Sequence, residues 1–453
     1  MSIKVDYLVI GAGPAGVRAA EILSKTGKKT AIVGKTLGGS FCYDGRVVLS
    51  SLLYVSSLYD KYKQVMQFFT ETQSTSAKID FKRVKKYVES VISRVCKSFN
   101  DELEKTQVEY ICGSAEFTGR NSVAVTKSDG IVEEYIFDKC IVAVGASDKK
   151  LDILSSAKSL KISTILNFES VPSSVVIIGG GLVGSETAAF FSRLGSKVTI
   201  LEKSDRILNG FDQTIVKKYE DFLKKKGIDI VTGYIAKKIE RIGQKYVIFY
   251  GEDKLESEEV FVCIGRKPLV EDLHFDMAGV VVSEDGIPNF YPDLKTDNPD
   301  IYLEGDVTGV RMRSGLAFHS ASVAAKNILG KNLKYNSEGA SAVLSVDPEI
   351  SCVGLTEEEA KKNGYDYGVF KYTAGDIHRA AMPSSVPFFA KVIYDKENKS
   401  ILGIHAIGKS AIDIVSDFSI IIQSGMTVED IVDFISAKPL VSEFISELAE
   451  KLK

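Results

Sequence analysis

The sequence predicts an α/β protein with two Rossmann-like dinucleotide-binding domains and a C-terminal α+β domain. Three observations support this prediction. The chain has 453 residues, which is more than one hydrophobic core normally holds. A pattern of strand, glycine-rich loop and helix occurs twice along the chain, and from about Ala340 the pattern changes to further strands and helices.

Composition and charge narrow the class of protein. Hydrophobic residues make up 45% of the chain and charged residues 26%, which is typical of a globular protein, and no apolar run is long enough to span a bilayer. The net charge of -3, without long runs of either sign, gives no indication of a nucleic-acid or membrane partner. We therefore expect a small-molecule partner.

The amino terminus and the cysteines indicate a cellular compartment. The first residues lead directly into a strand pattern without the features of an export signal. The six cysteines are scattered and show neither CxxC nor zinc-like spacing. We therefore expect a cytoplasmic protein without a metal site, in which each cysteine is a small buried residue.

The glycine loops are the features most specific to dinucleotide binding. Each follows a strand (residues 7–10 or 175–178) and precedes a helix pattern and a second strand (residues 30–33 or 197–201). In this motif the first glycine permits the turn, the second lets the backbone approach a pyrophosphate, and the third lets helix and strand pack closely. One such loop can be a mere strand-to-helix turn, but two in full βαβ context predict two sites. Their glycines are Gly11, Gly13 and Gly16 in the first repeat and Gly179, Gly181 and Gly184 in the second.

The remaining pattern fills in the other elements. Residues 81–105 predict a long amphipathic helix, and strands around residues 108–144 end at Gly145. Short buried strands are predicted at residues 260–265 and 301–306. After a polar linker at residues 331–339, strands and helices are predicted at residues 388–394, 401–407, 410–424 and 441–452.

With these elements placed, the chain resembles the class I pyridine nucleotide-disulfide oxidoreductases, especially the dihydrolipoamide dehydrogenases. The matching segments span nearly the whole length, at residues 37–40, 142–145, 263–268, 296–306, 347–349, 353–360 and 401–405. The resemblance implies a glutathione reductase-like fold and a homodimer. It implies an FAD-binding domain at residues 1–148 and 268–336, an NAD-binding domain at 149–267 and a dimerisation domain at 340–453.

The resemblance also assigns cofactor-binding residues. Asp306 would hydrogen-bond the ribityl or phosphate portion of FAD, and Glu202 would accept hydrogen bonds from the adenosine ribose of NADH. Glu202 would meet a 2'-phosphate with like charge, so NADH is expected in preference to NADPH; a solvated Glu202 is the alternative. Besides the loop glycines, the assigned set contains Gly38, Gly39, Ser40, Gly145, Gly305 and Gly265.

The redox segment departs from the family pattern. The two cysteine positions of the family fall on Phe41 and Arg46, and its lysine falls on Ser50. Cys42 is one place out of register and has no partner. Near the carboxyl end Lys438 replaces the acid-base histidine, and a lysine with its ordinary pKa of about 10.4 is a poor proton shuttle near neutrality. We expect the dithiol relay to be absent.

A second departure concerns the affinity for FAD. The acid that the family has after the first repeat's second strand is replaced by Gly34, which is followed by Lys35. Loss of a charge-assisted hydrogen bond costs roughly 1.5 to 3 kcal/mol, so FAD is expected to bind more weakly than in the family.

The resemblance places Glu186, just inside the second helix, near the nicotinamide and the flavin, although the helix dipole alone also favours an acid there. Arg46 lies one helical turn before Ser50. We expect Arg46 to reach the space left by the lysine and to pair with Glu186, where a cation favours the reduced flavin. A solvent-facing Arg46 is the alternative.

Four functions remain open from these features. The first is an FAD-dependent NADH:acceptor oxidoreductase in which electrons pass through FAD directly to a small-molecule or protein acceptor, with Glu186, Arg46 and Lys438 as candidate catalytic residues. The second is a reductase or oxidase that uses the single cysteine Cys42, activated by Arg46. The others are a soluble transhydrogenase, against which Glu202 argues, and a catalytically silent flavoprotein that acts as a binding or regulatory subunit.

Overall fold

The computed structural model describes residues 2–66, 78–151, 161–337, 339–373, 386–432 and 443–452. The chain divides into two compact units. Unit 1 comprises Met1–Ser51, Lys85–Lys149 and Gly265–Ser337, and unit 2 comprises Leu52–Val84, Lys150–Ile264 and Glu338–Lys453. Each unit contains one of the two glycine loops.

Unit 1 is built on a mainly parallel sheet. Strands β3, β2, β1, β5 and β15 lie side by side in that order and run parallel, whereas β4 pairs antiparallel with both β3 and β5. Ile10, Val142 and Leu303 are the last residues of their strands and lie in register at one edge of the sheet, beside the end of β2, which brings the residues that follow these strands together. The strands are β1 (Ile3–Ile10), β2 (Thr30–Gly34), β3 (Glu109–Gly119), β4 (Ser122–Lys127), β5 (Val132–Val142) and β15 (Ile301–Leu303).

Helices cover the sheet of unit 1. Apolar faces of α1 and α7 pack with Tyr7, Val9 and Tyr302 in one buried cluster, as expected for a parallel sheet with helices on its faces. A two-stranded antiparallel ladder joins β6 to β14. The elements are α1 (Pro14–Ser24), α2 (Gly39–Tyr43), β6 (Ala146–Asp148), β14 (Arg266–Pro268) and α7 (Ser314–Ile328). Two longer helices contribute residues to both units, namely α3 (Arg46–Met66) and α4 (Phe81–Lys105).

Unit 2 begins with a second parallel sheet. Its strand order is β13, β7, β8 and β9, and a separate antiparallel sheet is formed by β10, β11 and β12. The strands are β7 (Ser174–Ile178), β8 (Lys197–Glu202), β9 (Asp229–Thr232), β10 (Ala236–Ile242), β11 (Lys245–Tyr250), β12 (Asp253–Ser257) and β13 (Glu259–Val262), and the helices are α5 (Leu182–Arg193) and α6 (Gln213–Lys225).

The C-terminal part of unit 2 is an antiparallel sheet with helices. The strand order is β16, β17, β20, β19 and β18. Phe444 stacks on Phe418 with ring centroids 5.5 Å apart and also contacts Phe388, so the last helix is anchored in an aromatic core. The elements are β16 (Ala342–Leu344), β17 (Ile350–Gly354), α8 (Glu357–Lys362), β18 (Tyr367–Thr373), β19 (Phe389–Asp395), β20 (Ile401–Ile407), α9 (Val415–Gln423), α10 (Val428–Val432) and α11 (Phe444–Leu452).

The structure confirms the expected fold class and most of the expected elements. The long helix has the predicted bounds, but the helix predicted at residues 410–424 begins only at Val415. Ser410 has a φ of 62°, which a right-handed helix does not accommodate. The strand predicted at residues 301–306 ends at Leu303 and continues as a 3-10 turn at Gly305–Thr308.

Two other kinds of feature are absent from the described residues. None of the helices they form is both long and apolar enough to cross a membrane. In the same residues, no group of three or more histidine, cysteine, aspartate or glutamate side chains is arranged to hold a metal ion.

Candidate functional site

The glycine loop of unit 1 is closed on one side and open on the other. A side chain at Gly16 would begin 1.9 Å from the carbonyl oxygen of Gly11, and one at Gly11 would begin 2.2 Å from that of Ala143. At Gly13, no other described part of the chain lies within 4 Å of the point where a side chain would begin. The first and third glycines therefore permit close backbone packing, and the second faces open space.

The loop of unit 2 has the same construction. A side chain at Gly184 would begin 1.9 Å from the carbonyl oxygen of Gly179, and one at Gly179 would begin 2.4 Å from that of Cys263. At Gly181, within the part of the chain that the structure describes, the space is again open to 4 Å. The two repeats thus form the same backbone cradle.

Both cradles fit a pyrophosphate. Gly13 and Gly181 are the N-caps of α1 and α5, and among the described side chains none caps either helix. The first N–H groups of a helix have no partner within the helix, and together with the helix dipole they favour an anion. These two sites could therefore hold the pyrophosphates of two dinucleotides.

The structure of unit 1 brings the expected FAD-binding residues to one edge of the sheet. The Gly38 N–H donates to the Ala12 carbonyl oxygen at 2.8 Å, and a side chain at Gly39 would begin 3.6 Å from the Gly13 Cα. A side chain at Gly305 would begin 3.4 Å from the Ala15 Cβ. The carbonyl oxygen of Gly145, at the same edge, accepts from the Leu269 N–H at 3.1 Å.

Arg266 connects these segments, although no separate role was predicted for this residue. Its guanidinium donates to the Asp306 carboxylate, to the Ala146 carbonyl oxygen and, at 3.1 Å, to Ser40 Oγ. Burial raises the pKa of the Asp306 carboxyl, while the positive charge of Arg266 opposes that shift. The match of residues 263–268 to the family was the available signal, but only the structure shows that Arg266 contacts Ser40 and Asp306.

In unit 2 the Glu202 carboxylate lies against the glycine loop. One oxygen accepts from the Gly180 N–H at 2.6 Å and the other from the Ser204 N–H at 2.9 Å. The carboxylate is therefore oriented by two backbone donors at the end of β8. Gly265 was also assigned to cofactor binding; it lies in unit 1 with a φ of 102°.

The residues expected to be catalytic have different surroundings. Glu186 lies in α5, is 1% exposed, and accepts from the Ser345 N–H at 3.3 Å. Arg46 begins α3, and its pairing with Glu186 stays a prediction. Lys438 lies outside the described residues.

The expectation that Cys42 has no partner is wrong. The sulfurs of Cys42 and Cys96 lie 2.5 and 3.2 Å from the point where a Gly38 side chain would begin. Burial raises the pKa of the Cys42 thiol to about 12, and the neighbouring Cys96 adds to this shift. The pair was missed because α2 and α4 are far apart in sequence. Cys112 is exposed, so the expectation of buried cysteines is wrong for this residue.

Comparisons with known proteins agree with this organisation. A family described as pyridine nucleotide-disulphide oxidoreductase matches residues 5–326, and the dimerisation domain of the same family matches residues 340–449. The dihydrolipoyl dehydrogenase of Geobacillus stearothermophilus is 31% identical over 455 residues, which cover 99% of this chain and 96% of the relative. The enzyme of the same name from Staphylococcus aureus is also 31% identical, over 99% of this chain and 97% of the relative.

Solved structures share the fold. The HOCl-induced flavoprotein disulfide reductase RclA from Escherichia coli has a TM-score of 0.87 at 23% identity and covers 99% of this chain and 100% of that chain. LpdA from Mycobacterium tuberculosis has a TM-score of 0.91 at 19% identity, with coverage of 99% and 100%.

These matches confirm the family that the motifs indicated, and its cofactors are FAD and a pyridine nucleotide. The presence of the dimerisation domain supports a homodimer. The chain therefore belongs to the pyridine nucleotide-disulphide oxidoreductase family and is an FAD-dependent NAD(P)H oxidoreductase similar to dihydrolipoyl dehydrogenase.

Proposed function

We propose that this enzyme is an NADH:acceptor oxidoreductase in which no disulfide lies on the path of the electrons. The environment of Cys42 carries the proposal. This is the cysteine nearest in sequence to Gly38 and Gly39, yet it is fully buried and its pKa is raised to about 12. A thiol nucleophile reacts as the thiolate, which is scarce near neutrality at such a pKa.

The chain's own residues then have binding and orienting roles. In unit 1 the open cradle at Gly13 receives the FAD pyrophosphate, and Asp306 hydrogen-bonds the ribityl or phosphate portion. Arg266 holds the Asp306 carboxylate in position. When bound, FAD supplies the group that NADH reduces and that an acceptor molecule reoxidises.

In unit 2 Glu202 sets the preference for NADH. Its carboxylate, oriented by Gly180 and Ser204, is placed to accept hydrogen bonds from the adenosine ribose and to repel a 2'-phosphate. This preference disfavours a transhydrogenase, which must use both nucleotides. Retention of an ordered acid at this position also disfavours a catalytically silent subunit.

The curated relatives are named dihydrolipoyl dehydrogenases, and we infer that this chain has departed from that activity. By the register of the flanking motif residues, Phe41 and Arg46 occupy the positions of the two redox cysteines, and Ser50 and Lys438 occupy those of the lysine and the histidine. A phenyl ring and a guanidinium cannot store an electron pair. Glu186 and Arg46 are left as the charged pair that we place beside the flavin.

Anaerobic titration of the holoenzyme with NADH tests the proposal. One equivalent of NADH per bound FAD is expected to bleach the flavin fully, because no second two-electron centre takes part. A quinone or dye should then restore the flavin absorbance, and lipoamide reduction should be at least about a hundredfold slower than dye reduction.

The same titration distinguishes the flavin-only proposal from the alternative in which the single cysteine Cys42 takes part. If Cys42 stored electrons, wild-type protein would consume a second equivalent of NADH and Cys42→Ser would not. A second equivalent that depends on Cys42, or lipoamide turnover comparable with dye turnover, would overturn the flavin-only proposal.

A further inference from the structure

Two thiols lie together beneath the segment that leads into α2. The Cys42 and Cys96 sulfurs are both within 3.2 Å of one point beside Gly38, and the two thiols interact. The Cys96 thiol also donates to the Leu37 carbonyl oxygen at 3.4 Å and lies 3.5 Å from the Tyr43 hydroxyl. Cys42 is buried, whereas Cys96 is partly exposed.

Side chains from β3 also form hydrogen bonds with the segment that leads into α2. The Tyr110 hydroxyl donates to the Gly34 carbonyl oxygen at 3.1 Å, and the Cys112 thiol donates to the Lys35 carbonyl oxygen at 3.4 Å. Three carbonyl groups between Gly34 and Leu37 are thus held by hydroxyl or thiol donors. Oxidation of a thiol in this group removes a hydrogen bond from the segment.

We propose that Cys42 and Cys96 form a redox-modification site, which peroxide converts into a reversible disulfide. Two features of the geometry support this assignment. Gly38 has no side chain, and a Cβ there would begin 2.5 Å from the Cys42 sulfur, so a glycine is needed to keep the space that the two sulfurs share. The pair also places a partly exposed thiol, Cys96, next to a second thiol, Cys42, which is the arrangement of an oxidant-sensing cysteine beside a resolving cysteine.

The reaction balances in two steps. Peroxide oxidises the accessible Cys96 thiol to a sulfenic acid, with release of one water molecule. The Cys42 sulfur then attacks the Cys96 sulfur; the S–S bond forms, the S–O bond breaks, and the hydroxyl leaves as a second water with the Cys42 proton. This attack is slow compared with catalytic turnover, because the raised pKa of Cys42 keeps its thiolate scarce. A disulfide requires the sulfurs to approach to about 2.05 Å. A dithiol reductant reverses the step by exchange.

The disulfide would link α2 to α4 and replace the hydrogen bond between Cys96 and Leu37. Gly38, Gly39 and Ser40 follow directly, so the state of the thiols is coupled to the expected FAD-binding segment. The effect on FAD rests on the proposed cofactor site, but formation of the disulfide does not. Oxidation is expected to change the rate at which FAD dissociates from the holoenzyme by severalfold.

The test uses holoenzyme treated with hydrogen peroxide, quenched with catalase, and alkylated after denaturation without reductant. Of the six cysteines, four are expected to be alkylated, and all six after dithiothreitol. Peptide mapping without reductant should recover the Cys42 peptide linked to the Cys96 peptide. Mapping of the wild-type protein does not depend on the folding of any variant.

Cys112→Ser is the matched control, because Cys112 binds the same segment but is not part of the pair. It should still lose two thiols on oxidation, whereas Cys96→Ser should lose none. Alkylation of all six wild-type thiols after peroxide treatment would overturn the proposal. So would accumulation of a Cys96 sulfinic acid with Cys42 still free, or linkage of Cys42 to another cysteine.

A second measurement separates this inference from the proposed function. NADH added to the oxidised holoenzyme is expected to reduce the flavin and leave the disulfide intact. If NADH also reduces the disulfide, the pair still exists as proposed, but the claim that no disulfide lies on the electron path fails.

Discussion

The two glycine loops share one backbone construction but differ where the second strand of each repeat ends. In unit 1 that strand ends at Gly34, and a side chain there would begin 2.6 Å from the Ala12 Cβ and 2.7 Å from the Ala12 nitrogen. In unit 2 the equivalent residue is Glu202, and its carboxylate accepts from the Gly180 N–H at 2.6 Å. The same place is therefore filled in two alternative ways. In unit 1 it holds the methyl group of Ala12 opposite Gly34, and in unit 2 it holds the side chain of Glu202 opposite Gly180.

This difference concerns two separate tasks, namely binding a dinucleotide and selecting which dinucleotide is bound. Both loops present open space and helix N–H groups to a pyrophosphate, which every dinucleotide has. Unit 2 adds an oriented acid that can distinguish one adenosine ribose from another. Unit 1 has no such acid at the strand end and instead has the Arg266 and Asp306 pair at the same edge of the sheet. We expect FAD to be held mainly by the phosphate cradle and that pair.

The largest expected effects come from side chains at the third glycines. Gly16→Val should abolish FAD binding, because its Cβ would begin 1.9 Å from a backbone oxygen. In Gly184→Val the new Cβ would also begin 1.9 Å from a backbone oxygen, but in unit 2. This variant should therefore bind FAD, and NADH should no longer bleach its flavin. Flavin absorbance of the purified variants and its response to NADH are the measurements.

Alanine at Gly13 is the control for a folding defect. Because the described chain leaves open space there, Gly13→Ala should retain the far-UV circular dichroism of the wild type while FAD binding weakens. If Gly184→Val were bleached by NADH as fast as the wild type, unit 2 would not be the nucleotide site.

The second prediction concerns selection. Glu202→Ala removes the acceptor of the ribose hydrogen bonds, a loss of roughly 1.5 to 3 kcal/mol, or about ten- to a hundredfold in kcat/KM for NADH. The kcat/KM for NADPH should fall less or rise, because the like charge is gone. Glu202→Gln separates charge from hydrogen bonding. An unchanged ratio of NADH to NADPH would remove Glu202 from the selection.

The third prediction restores the missing acid in unit 1. Gly34→Glu alone is expected to gain nothing in FAD affinity, because Ala12 occupies the space into which the new side chain must go. Ala12→Gly with Gly34→Glu removes the contact at 2.6 Å, while the contact at 2.7 Å with the backbone nitrogen of residue 12 still requires a small backbone shift. The double variant should therefore bind FAD more tightly than the single variant, by up to roughly tenfold. FAD dissociation constants from fluorescence measure both. Equal affinities in the single and double variants would show that Ala12 is not the obstacle.

The sequence predicted the two cradles because their glycines are adjacent in the chain and each has a separate steric reason. It also predicted an acid beside the loop of unit 2, Glu202, since this acid follows a strand at a fixed distance from its loop. Its contact with a ribose stays a prediction. The sequence could not predict how closely Ala12 approaches Gly34, because these residues lie in two different turns and it does not show the distance between them.

The residues missed by the sequence have partners far away in the chain. Arg266 meets Ser40 and Asp306 only because the strands bring three segments to one edge, and Cys96 meets Cys42 through the placement of α4. Single residues of this kind carry no periodicity or spacing that a sequence pattern can reveal. Glu304 is another example, because its sequence neighbours do not show that it is buried without a hydrogen-bond partner among the described residues.

The last prediction concerns this buried acid at the same edge of unit 1. Glu304 is fully buried, and among the described residues neither of its carboxyl oxygens has a hydrogen-bond partner. Burial raises the pKa of Glu304 well above its ordinary value of 4.5, so the folded protein keeps this carboxyl protonated to a higher pH than the unfolded chain does. The unfolded chain releases that proton above the ordinary value. Between the two pKa values the folded state binds more protons, and its stability therefore decreases as pH rises.

Glu304→Gln removes this titration with little change in shape. The difference in unfolding free energy between Glu304→Gln and the wild type should grow in favour of the variant above about pH 4.5, by up to about 1.4 kcal/mol per pH unit until the folded pKa is reached. Urea unfolding of the two holoproteins at a series of pH values measures this difference. Burial also raises the pKa of Asp306 and of Glu349, but both acids are present in the two proteins and cancel in the comparison. Parallel pH profiles would mean that Glu304 is ionised in the folded protein, which would require a cationic or hydrogen-bonding partner when the cofactors are bound.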